Sequence, residues 1–240
     1  MRKGDLRRER IIDAAEEIFF TKGYEETSLQ DILDALSLSK GGFYHHFDSK
    51  ASVLLAVCER RVEKRLAHAT ADLRTLRGGA CERMNRLLGL AGLFEREEPR
   101  FVAMLMRLKL AEGDVQIRDK MACVTMETLL PLADEIVEMG LEEGVFHTRY
   151  PATTGRLLLL LARQMDEEFL REMVKNGCGP DNVIGLVELA DTYRNAAELM
   201  LNAPYGSLRI VDIDALLENY RAAQEAANAF CEAQTERKQP

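Results

Sequence analysis

The segment from Thr27 to Lys50, TSLQDILDALSLSKGGFYHHFDSK, constrains the fold most strongly, because it predicts two short helices separated by a three-residue turn. Its first half carries Leu29, Ile32, Leu33 and Leu36 at helical spacing, which indicates a short amphipathic helix. We expect Thr27 to cap this helix and Gln30, three residues later, to complete a capping box. A second helical pattern begins three residues after the first one ends.

The second predicted helix begins at Ser39, which is placed to cap it, and carries Phe43 and Phe47 on one face. The residues between these apolar anchors are predicted to face away from the packing side; they are Lys40, Gly41, Gly42, Tyr44, His45 and His46. A short helix, a tight turn and a second helix with an outward polar and aromatic face form the arrangement with which a helix-turn-helix reads a major groove. The segment therefore predicts DNA binding.

The same residues resemble the DNA-binding head of the tetracycline-repressor (TetR) family of bacterial transcription regulators. The resemblance rests on the pattern S-K-x-x-x-Y-x-H-F followed by S-K, and on a preceding predicted helix, Arg7 to Gly23, which ends in TKGY. It covers roughly the first fifth of the chain. The matching residues are Ser39, Lys40, Tyr44, His46, Phe47, Ser49 and Lys50. One position departs from the family pattern, because Ser37 stands at a turn position that usually holds Gly, and a left-handed Ser is strained.

Taken together, the outward residues and the resemblance predict a set of DNA contacts. Side chains of the second helix would reach the groove, while capped helix starts and Lys50 would bind phosphates. The predicted contact residues are Thr27, Ser39, Lys40, Gly41, Gly42, Tyr44, His45, His46 and Lys50.

The composition indicates an all-α protein that buries a real core. Of its 240 residues, 47% are hydrophobic and 30% charged, and the formal net charge is −8, the wrong sign for a protein that coats nucleic acid non-specifically. The extreme N-terminus is locally basic, with Arg2, Lys3, Arg7, Arg8 and Arg10. An odd number of scattered cysteines, a charged start and no long apolar run predict a cytoplasmic protein that does not enter the membrane.

Helical periodicity predicts a three-helix head at residues 1–50 and a larger helical body at residues 51–240, which the resemblance implies is the ligand-binding and dimerisation domain. The head core is predicted to contain Ile11, Ala15, Ile18, Phe19, Leu29, Ile32, Leu36, Phe43 and Phe47. The body helices are predicted at about residues 50–76, 80–94, 99–110, 114–140, 152–175, 181–202 and 212–234.

The sequence carries no motif for catalysis or for a cofactor. It has no Gly-rich phosphate loop, no Gly-x-Ser-x-Gly elbow and no His-Glu-x-x-His pair. His68 and His147 are isolated from each other and from any cysteine at metal-ligand spacing. We therefore expect no enzyme activity, no cofactor and no metal.

Two further sites in the body are implied by the resemblance. One is an apolar pocket for a small apolar effector, with Leu88, Phe101, Met104, Leu105, Met121, Met165 and Phe169 as lining residues and Asn85 and Arg163 as polar anchors. The other is a dimer interface on the helices at about 152–175 and 181–202, with Leu158, Ala162, Leu186, Ala190, Tyr193, Ala197 and Met200. In both cases simple core packing within one chain remains the alternative.

The resulting functional hypothesis is a homodimeric, ligand-responsive repressor that binds a palindromic DNA operator. One alternative is an architectural or division-control DNA-binding protein that has a TetR-like head and no ligand switch. A second, more remote alternative is that the chain is an all-helical enzyme.

Overall fold

The computed structural model describes residues 3–91, 101, 115–176, 180–222 and 225, and throughout these residues the regular secondary structure is helical. Nine helices lie within them, which agrees with the predicted all-α class. Their bounds are α1 Lys3–Lys22, α2 Leu29–Leu36, α3 Lys40–Tyr44, α4 Lys50–Thr75, α5 Ala80–Ala91, α6 Val115–Glu142, α7 Pro151–Asn176, α8 Pro180–Leu201 and α9 at 213–222. None of the helices described here is both long and apolar enough to cross a membrane.

The described residues divide into two compact units. The first contains residues 3–63, Phe101, residues 115–121 and Glu225, and the second contains residues 64–91, 122–176 and 180–222. The predicted division after residue 50 falls inside the first unit. The reason is that α4 begins at Lys50 and its first turns pack on the preceding helices, so that Val53, Leu54 and Val57 are fully buried.

The core of the first unit is built from the inward faces of α1, α2 and α3. Most of the predicted core residues are buried, and Ile18, Leu29 and Leu36 are half-buried at its edge. Gly23 ends α1 with φ of 88°, a conformation that suits a glycine at a helix end. The fully enclosed residues are Ile11, Ala15, Phe19, Ile32, Phe43 and Phe47.

Two arginines of α4 fasten this helix to α1. Arg60 forms ion pairs with Glu9 at 3.3 Å, with Asp13 at 2.6 Å and with Glu16. Arg61 donates from its Nε to Glu16 at 2.6 Å, and its guanidinium lies 4.6 Å from the Phe20 ring centroid and 4.9 Å from that of Phe101. Because both arginine side chains are mostly buried, these pairs are less screened than surface pairs and hold α4 at a defined position on α1.

The second unit is organised by the antiparallel pair α7 and α8, with α5 packed against α7. Leu158, Phe169 and Leu186 are buried at these contacts. The chain between α6 and α7 folds back so that the Phe146 ring lies directly against Gly140, where a Cβ atom would stand 1.9 Å from Phe146 Cδ2. A side chain at position 140 would therefore displace the ring.

A buried carboxylate fixes the segment that follows α8. Glu198 is 2% exposed, pairs with Arg194 at 3.3 Å, and accepts a hydrogen bond from the backbone N–H of Leu208 at 3.0 Å. Farther along the chain, the Tyr220 hydroxyl of α9 donates to the carbonyl of Met173 in α7 at 2.9 Å. A buried charge is tolerated here because it is paired and hydrogen-bonded.

Candidate nucleic-acid interface

The start of α2 is capped by Ser28, so the predicted cap at Thr27 with Gln30 is wrong by one residue. The Ser28 hydroxyl accepts from the Asp31 N–H at 3.2 Å, and the Asp31 carboxylate accepts from the Ser28 N–H at 2.6 Å. Asp31 also pairs with Lys22 at 2.7 Å, and hydrogen bonds from Lys22 and Ser28 lower the pKa of its carboxyl to about 2. The capping box is therefore charged at neutral pH, which suits the positive end of a helix.

Thr27 has a different role. Its side chain is 1% exposed, and its hydroxyl donates to the carbonyl of Gly23 at 2.5 Å. Thr27 directly precedes the cap Ser28, and the turn points its side chain inward. Its hydroxyl therefore satisfies a carbonyl at the end of α1. The prediction that Thr27 contacts a phosphate is therefore not supported by its position.

The turn between α2 and α3 has the predicted left-handed residue. Ser37 has φ of 50° and ψ of 45°, and the next N–H, that of Leu38, donates to the carbonyl of Leu33 at 2.9 Å. This is the hydrogen-bond pattern of a helix ended by a left-handed residue, and a non-glycine residue in this region carries strain.

The α3 helix is shorter than predicted but presents the predicted faces. Ser39 caps it, since its hydroxyl accepts from the Gly42 N–H at 3.1 Å. The regular helix ends at Tyr44, and a turn carries His45 and His46 toward Phe47. Phe43 and Phe47 are buried with ring centroids 6.0 Å apart. These two rings anchor α3 to the core and determine which side chains point outward.

The outward face of α3 is polar and aromatic. Lys40, Gly41 and His45 are exposed, and Tyr44 is 53% exposed with its ring edge-on to Phe43 at 5.6 Å. The two glycines differ: a Cβ atom at Gly41 would meet open space, whereas one at Gly42 would stand 2.9 Å from Leu38 Cδ1. Gly42 therefore allows the turn to pack on α3, and Gly41 is the position where an outside molecule can come close to the backbone.

Positive charge surrounds this face. Arg7, Arg8 and Arg10 of α1 are exposed, and the Arg8 guanidinium lies 5.1 Å from the centroid of the Phe47 ring. Desolvation lowers the pKa of the half-buried His46 imidazole, and repulsion from His45, Arg7 and Arg8 lowers it further. A polyanion placed here would relieve that repulsion.

Lys50 is bound to the turn between α1 and α2, and its predicted phosphate contact stays a prediction. Its ammonium donates to the carbonyls of Tyr24 and Thr27, both at 2.8 Å, and lies 4.2 Å from the centroid of the Tyr24 ring. These partners are 26 and 23 residues away in sequence, so no local pattern reveals them.

The predicted pocket residues fall in both units. Phe101 and Met121 are buried in the first, while Leu88, Met165 and Phe169 are buried in the second. Asn85 accepts from the Arg209 N–H at 2.7 Å and so fastens the segment after α8, and Arg163 lies 3.9 Å from Glu167. Met104 and Leu105 lie outside the described residues.

The predicted dimer residues are mostly the inward face of α7 and α8, so that assignment is wrong for most of them. Leu158, Ala162, Leu186, Ala190 and Ala197 are buried within the single chain, and only Tyr193 and Met200 are partly exposed. Both helices carry a second apolar face, and periodicity does not indicate which of two stripes turns inward. The large apolar residues left exposed on these helices are Leu157, Leu160, Ile184, Val187 and Leu199.

Capped helices, a left-handed turn and an anchored outward face define a helix-turn-helix, the motif with which many proteins bind DNA. Residues 11–57 match the family model described as bacterial regulatory proteins, tetR family. The head of the chain is therefore similar to the DNA-binding domain of that family.

Comparison with individual proteins agrees with this assignment. The HTH-type transcriptional regulator YerO of Bacillus subtilis (strain 168) is 28% identical over 172 residues, which is 71% of this chain and 57% of YerO. The chain thus spans little more than half the length of that relative.

Two solved structures share the fold. A transcriptional regulator from Saccharomonospora viridis in complex with choline has a TM-score of 0.52 at 21% identity, covering 80% of this chain and 95% of that one. FadR from Bacillus subtilis in complex with stearoyl-CoA has a TM-score of 0.51 at 19% identity, covering 80% and 96%.

Proposed function

We propose that this chain is a repressor that binds a palindromic operator as a homodimer and releases it when a small apolar effector binds. Such a repressor acts in the cytoplasm, on double-stranded DNA. The observation that carries the proposal is the outward face of α3, where Lys40, Tyr44 and His45 are exposed over two buried phenylalanines. Because Phe43 and Phe47 fix the rotation of the helix, these three side chains are presented together to a groove.

Two kinds of DNA contact follow from this face. Tyr44 and His45 project where a recognition helix meets base edges, and Lys40 with Arg7, Arg8 and Arg10 supplies charge for phosphates. The local basic charge is needed because the whole chain carries a formal net charge of −8. Phosphate attraction is therefore confined to the face that carries α3 and the start of α1.

The test of DNA recognition compares two exposed tyrosines. An operator is first selected from random double-stranded DNA, and binding is measured by fluorescence anisotropy. Tyr44→Ala is expected to weaken operator binding by about 1–3 kcal/mol, the range for a specific base contact. Tyr205→Ala is the matched control, because Tyr205 is 80% exposed but lies in the second unit, and it is expected to leave affinity unchanged. Failure to select any sequence, or equal affinity of both variants, would reject the proposal.

The homodimer is proposed to form through the exposed apolar face of α7 and α8. Ile184 is 61% exposed and Leu199 is 72% exposed, which is unusual for residues of this size on regular helices. Helical spacing places Ile184, Val187 and Leu199 on one side of α8. A two-fold pairing would cover this face, because the same patch meets itself across the symmetry axis.

Sedimentation velocity tests the dimer. Ile184→Asp is expected to shift the protein to a monomer, since a charge would be buried without a partner at the interface. Leu6→Asp is the control, because Leu6 is 49% exposed on α1 and should leave the dimer intact. A monomeric unaltered chain at micromolar concentration would contradict this part of the proposal.

The effector site is proposed among the buried apolar residues of the second unit, which include Leu88, Met165 and Phe169. Proteins of similar fold hold choline and stearoyl-CoA, ligands of very different chemistry. The fold therefore accommodates a small molecule without fixing its identity. An apolar lining favours an apolar or aromatic compound, because buried area supplies most of its affinity.

A panel of apolar compounds tests the switch by thermal shift and by release of the operator. Met165→Trp should fill the proposed site and abolish the response while operator binding is retained. Met200→Trp, on half-buried Met200 of α8, is the matched control. A chain that binds its operator but responds to no compound would favour the architectural alternative.

A further inference from the structure

The α7–α8 pair carries charge of opposite sign at its two ends. One end is formed by residues 166–193, from the second half of α7 to the first half of α8, and it contains seven acidic and two basic residues. The other end is formed by residues 149–165, with three arginines and no acidic residue, and by residues 194–201, with one arginine and one glutamate. Each chain therefore has one acidic end and one basic end on this pair.

Two hydrogen bonds show which parts of the two helices lie side by side. The N–H of His147, just before α7, donates to the carbonyl of Leu201 at the end of α8 at 2.8 Å. At the opposite end of the pair, the side-chain amide of Asn182 donates to the carbonyl of Glu172 at 3.5 Å. These contacts define the register in which α7 and α8 run antiparallel to each other.

Arg156 and Glu188 are exposed charges, one toward each end of the pair. In the register given by the two hydrogen bonds they lie at different levels, on the order of 10 Å apart along the helices. Salt screens exposed charges at such a separation, so the two residues attract each other little within one chain. Both are therefore available to a second molecule.

The exposed apolar face of the pair is centred between these two charges. Leu160 of α7 lies near its middle, Ile184 lies toward the acidic end and Leu199 toward the basic end. Asp191 is also close to the middle, but it is paired with Arg194 of its own chain at 3.2 Å. The face is therefore balanced in its apolar residues and unbalanced in its charges.

A second copy of the chain can cover this face about a two-fold axis in either of two directions. If the axis runs along the helices, the acidic end of one chain meets the acidic end of the other, and like charges oppose association. If the axis runs across the helices, each acidic end meets a basic end, and Ile184 comes level with Leu199 of the partner subunit. Both arrangements bury the apolar residues, so the charges decide between them.

We propose that the homodimer forms about an axis that runs across α7 and α8, and that Arg156 of each chain pairs with Glu188 of the partner subunit. The inference rests on the homodimer proposed above. It adds the orientation of the two chains and the charges by which the chain recognises a second copy of itself. Because the two-fold axis repeats every contact, one dimer contains this ion pair twice.

The salt dependence of dimerisation reports the sign of the charge interaction. Salt screens ion pairs at an exposed interface, so the dimer should dissociate more readily as NaCl rises from about 50 mM to about 500 mM. Sedimentation velocity over a range of protein concentrations measures this change. If like ends met, salt would relieve a repulsion and the dimer would become tighter. A dimer that becomes tighter, or whose dissociation constant does not change, would overturn the inference.

Charge reversal identifies the two residues. Arg156→Glu and Glu188→Arg should each weaken the homodimer about tenfold, because an attraction that is present twice becomes a repulsion. An equal mixture of the two variants should associate as tightly as the unaltered chain, since each heterodimer has unlike charges at both positions. Arg10→Glu is the matched control, because it reverses an exposed arginine in the first unit with the same change in net charge, and it should leave the dimer intact.

Neutral exchanges at the same positions repeat the comparison. Arg156→Gln and Glu188→Gln should weaken the dimer by a smaller factor than the reversals, and circular dichroism verifies the helix content of every variant. If either reversal leaves the dimer as tight as that of the unaltered chain, or if the mixture fails to restore association, the inference is wrong and the proposed homodimer stands. If the unaltered chain is a monomer at micromolar concentration, the proposed homodimer and this inference are both overturned.

Discussion

The α2–α3 pair and the α7–α8 pair are both two-helix elements, but different interactions hold them. The helices α2 and α3 have only eight and five residues, and a side chain or a special backbone conformation marks three of their four boundaries. Ser28 with Asp31 starts α2, Ser37 ends it, and Ser39 starts α3. Helices this short are not stable by themselves, so caps and two phenylalanine anchors fix their geometry.

The α7–α8 pair has 26 and 22 residues, and a buried stripe holds it. Leu158, Leu186 and Ala197 are almost completely enclosed, while Ile184 and Leu199 on the outer side remain exposed. The two pairs therefore present different kinds of surface. In the first unit, local interactions present a small set of polar side chains in a defined geometry, whereas in the second a broad apolar face is left exposed.

The largest expected effect tests the buried stripe of α8. Leu186→Ala should lower the free energy of unfolding by about 3 kcal/mol, because Leu186 is fully buried and its removal leaves a cavity. Val187→Ala is the neighbouring control, since Val187 is 43% exposed, and it should cost less than about 0.5 kcal/mol. Urea unfolding at fixed protein concentration measures both. Equal losses would mean that α8 is not held by the face that the structure buries.

Removal of a cap should have a smaller effect, and only in the first unit. Ser28→Ala should destabilise by about 1 kcal/mol, because the Asp31 N–H loses its acceptor. Thr192→Ala deletes a hydroxyl from the middle of α8, where it bonds the Glu188 carbonyl of the same helix at 2.9 Å, and alanine is the better helix former. Thermal unfolding should therefore show a loss for Ser28→Ala and none for Thr192→Ala. A null result at Ser28 would show that packing alone fixes α2.

Among the described residues, two that are not glycine have a left-handed backbone, and they sharpen the comparison further. Ser37 has φ of 50° and Asn202, directly after α8, has φ of 48°. Ser37→Gly should stabilise the protein by up to about 1 kcal/mol, because glycine has no Cβ penalty in this region. Asn202→Gly should gain less, since asparagine tolerates the left-handed region better. Calorimetry that finds Ser37→Gly destabilising would mean that the serine side chain itself supports the turn.

The smallest expected effect on stability is the pH dependence that His46 contributes. Its pKa in the folded protein is lowered from the ordinary value of 6.5, so the unfolded chain binds the proton more readily. Stability should therefore rise with pH across the range just below 6.5, and be lost as the pH falls through it. His46→Asn should remove this part of the pH profile, as measured by urea unfolding at pH 5 to 7. A profile that is unchanged in the variant would assign the dependence to another group.

Operator affinity is expected to depend on pH in the opposite direction from folding stability. A phosphate near His46 favours the charged imidazole, so operator affinity should increase as the pH falls. The same variant measured by anisotropy decides this, because a dependence that persists in His46→Asn would exclude His46 as the source.

The sequence by itself determined the features of the head that depend on neighbours along the chain. The spacing of Phe43 and Phe47, the cap at Ser39 and the left-handed Ser37 all agree with the structure, because each involves residues no more than five positions apart. The predicted cap of α2 was wrong by one residue. Thr27 and Ser28 are adjacent and both carry a hydroxyl, and only the course of the turn decides which hydroxyl reaches the helix.

Only the tertiary structure decided the features that join distant residues. From the sequence, Lys50 is predicted to be an exposed cation. In the structure, a turn 23 to 26 residues earlier supplies the two carbonyls that it binds. In α8 both Leu186 and Ile184 are large and apolar, and periodicity treats them alike. The packing of α7 enclosed one and left the other in solvent, because a helix can turn only one of its apolar faces toward a given neighbour.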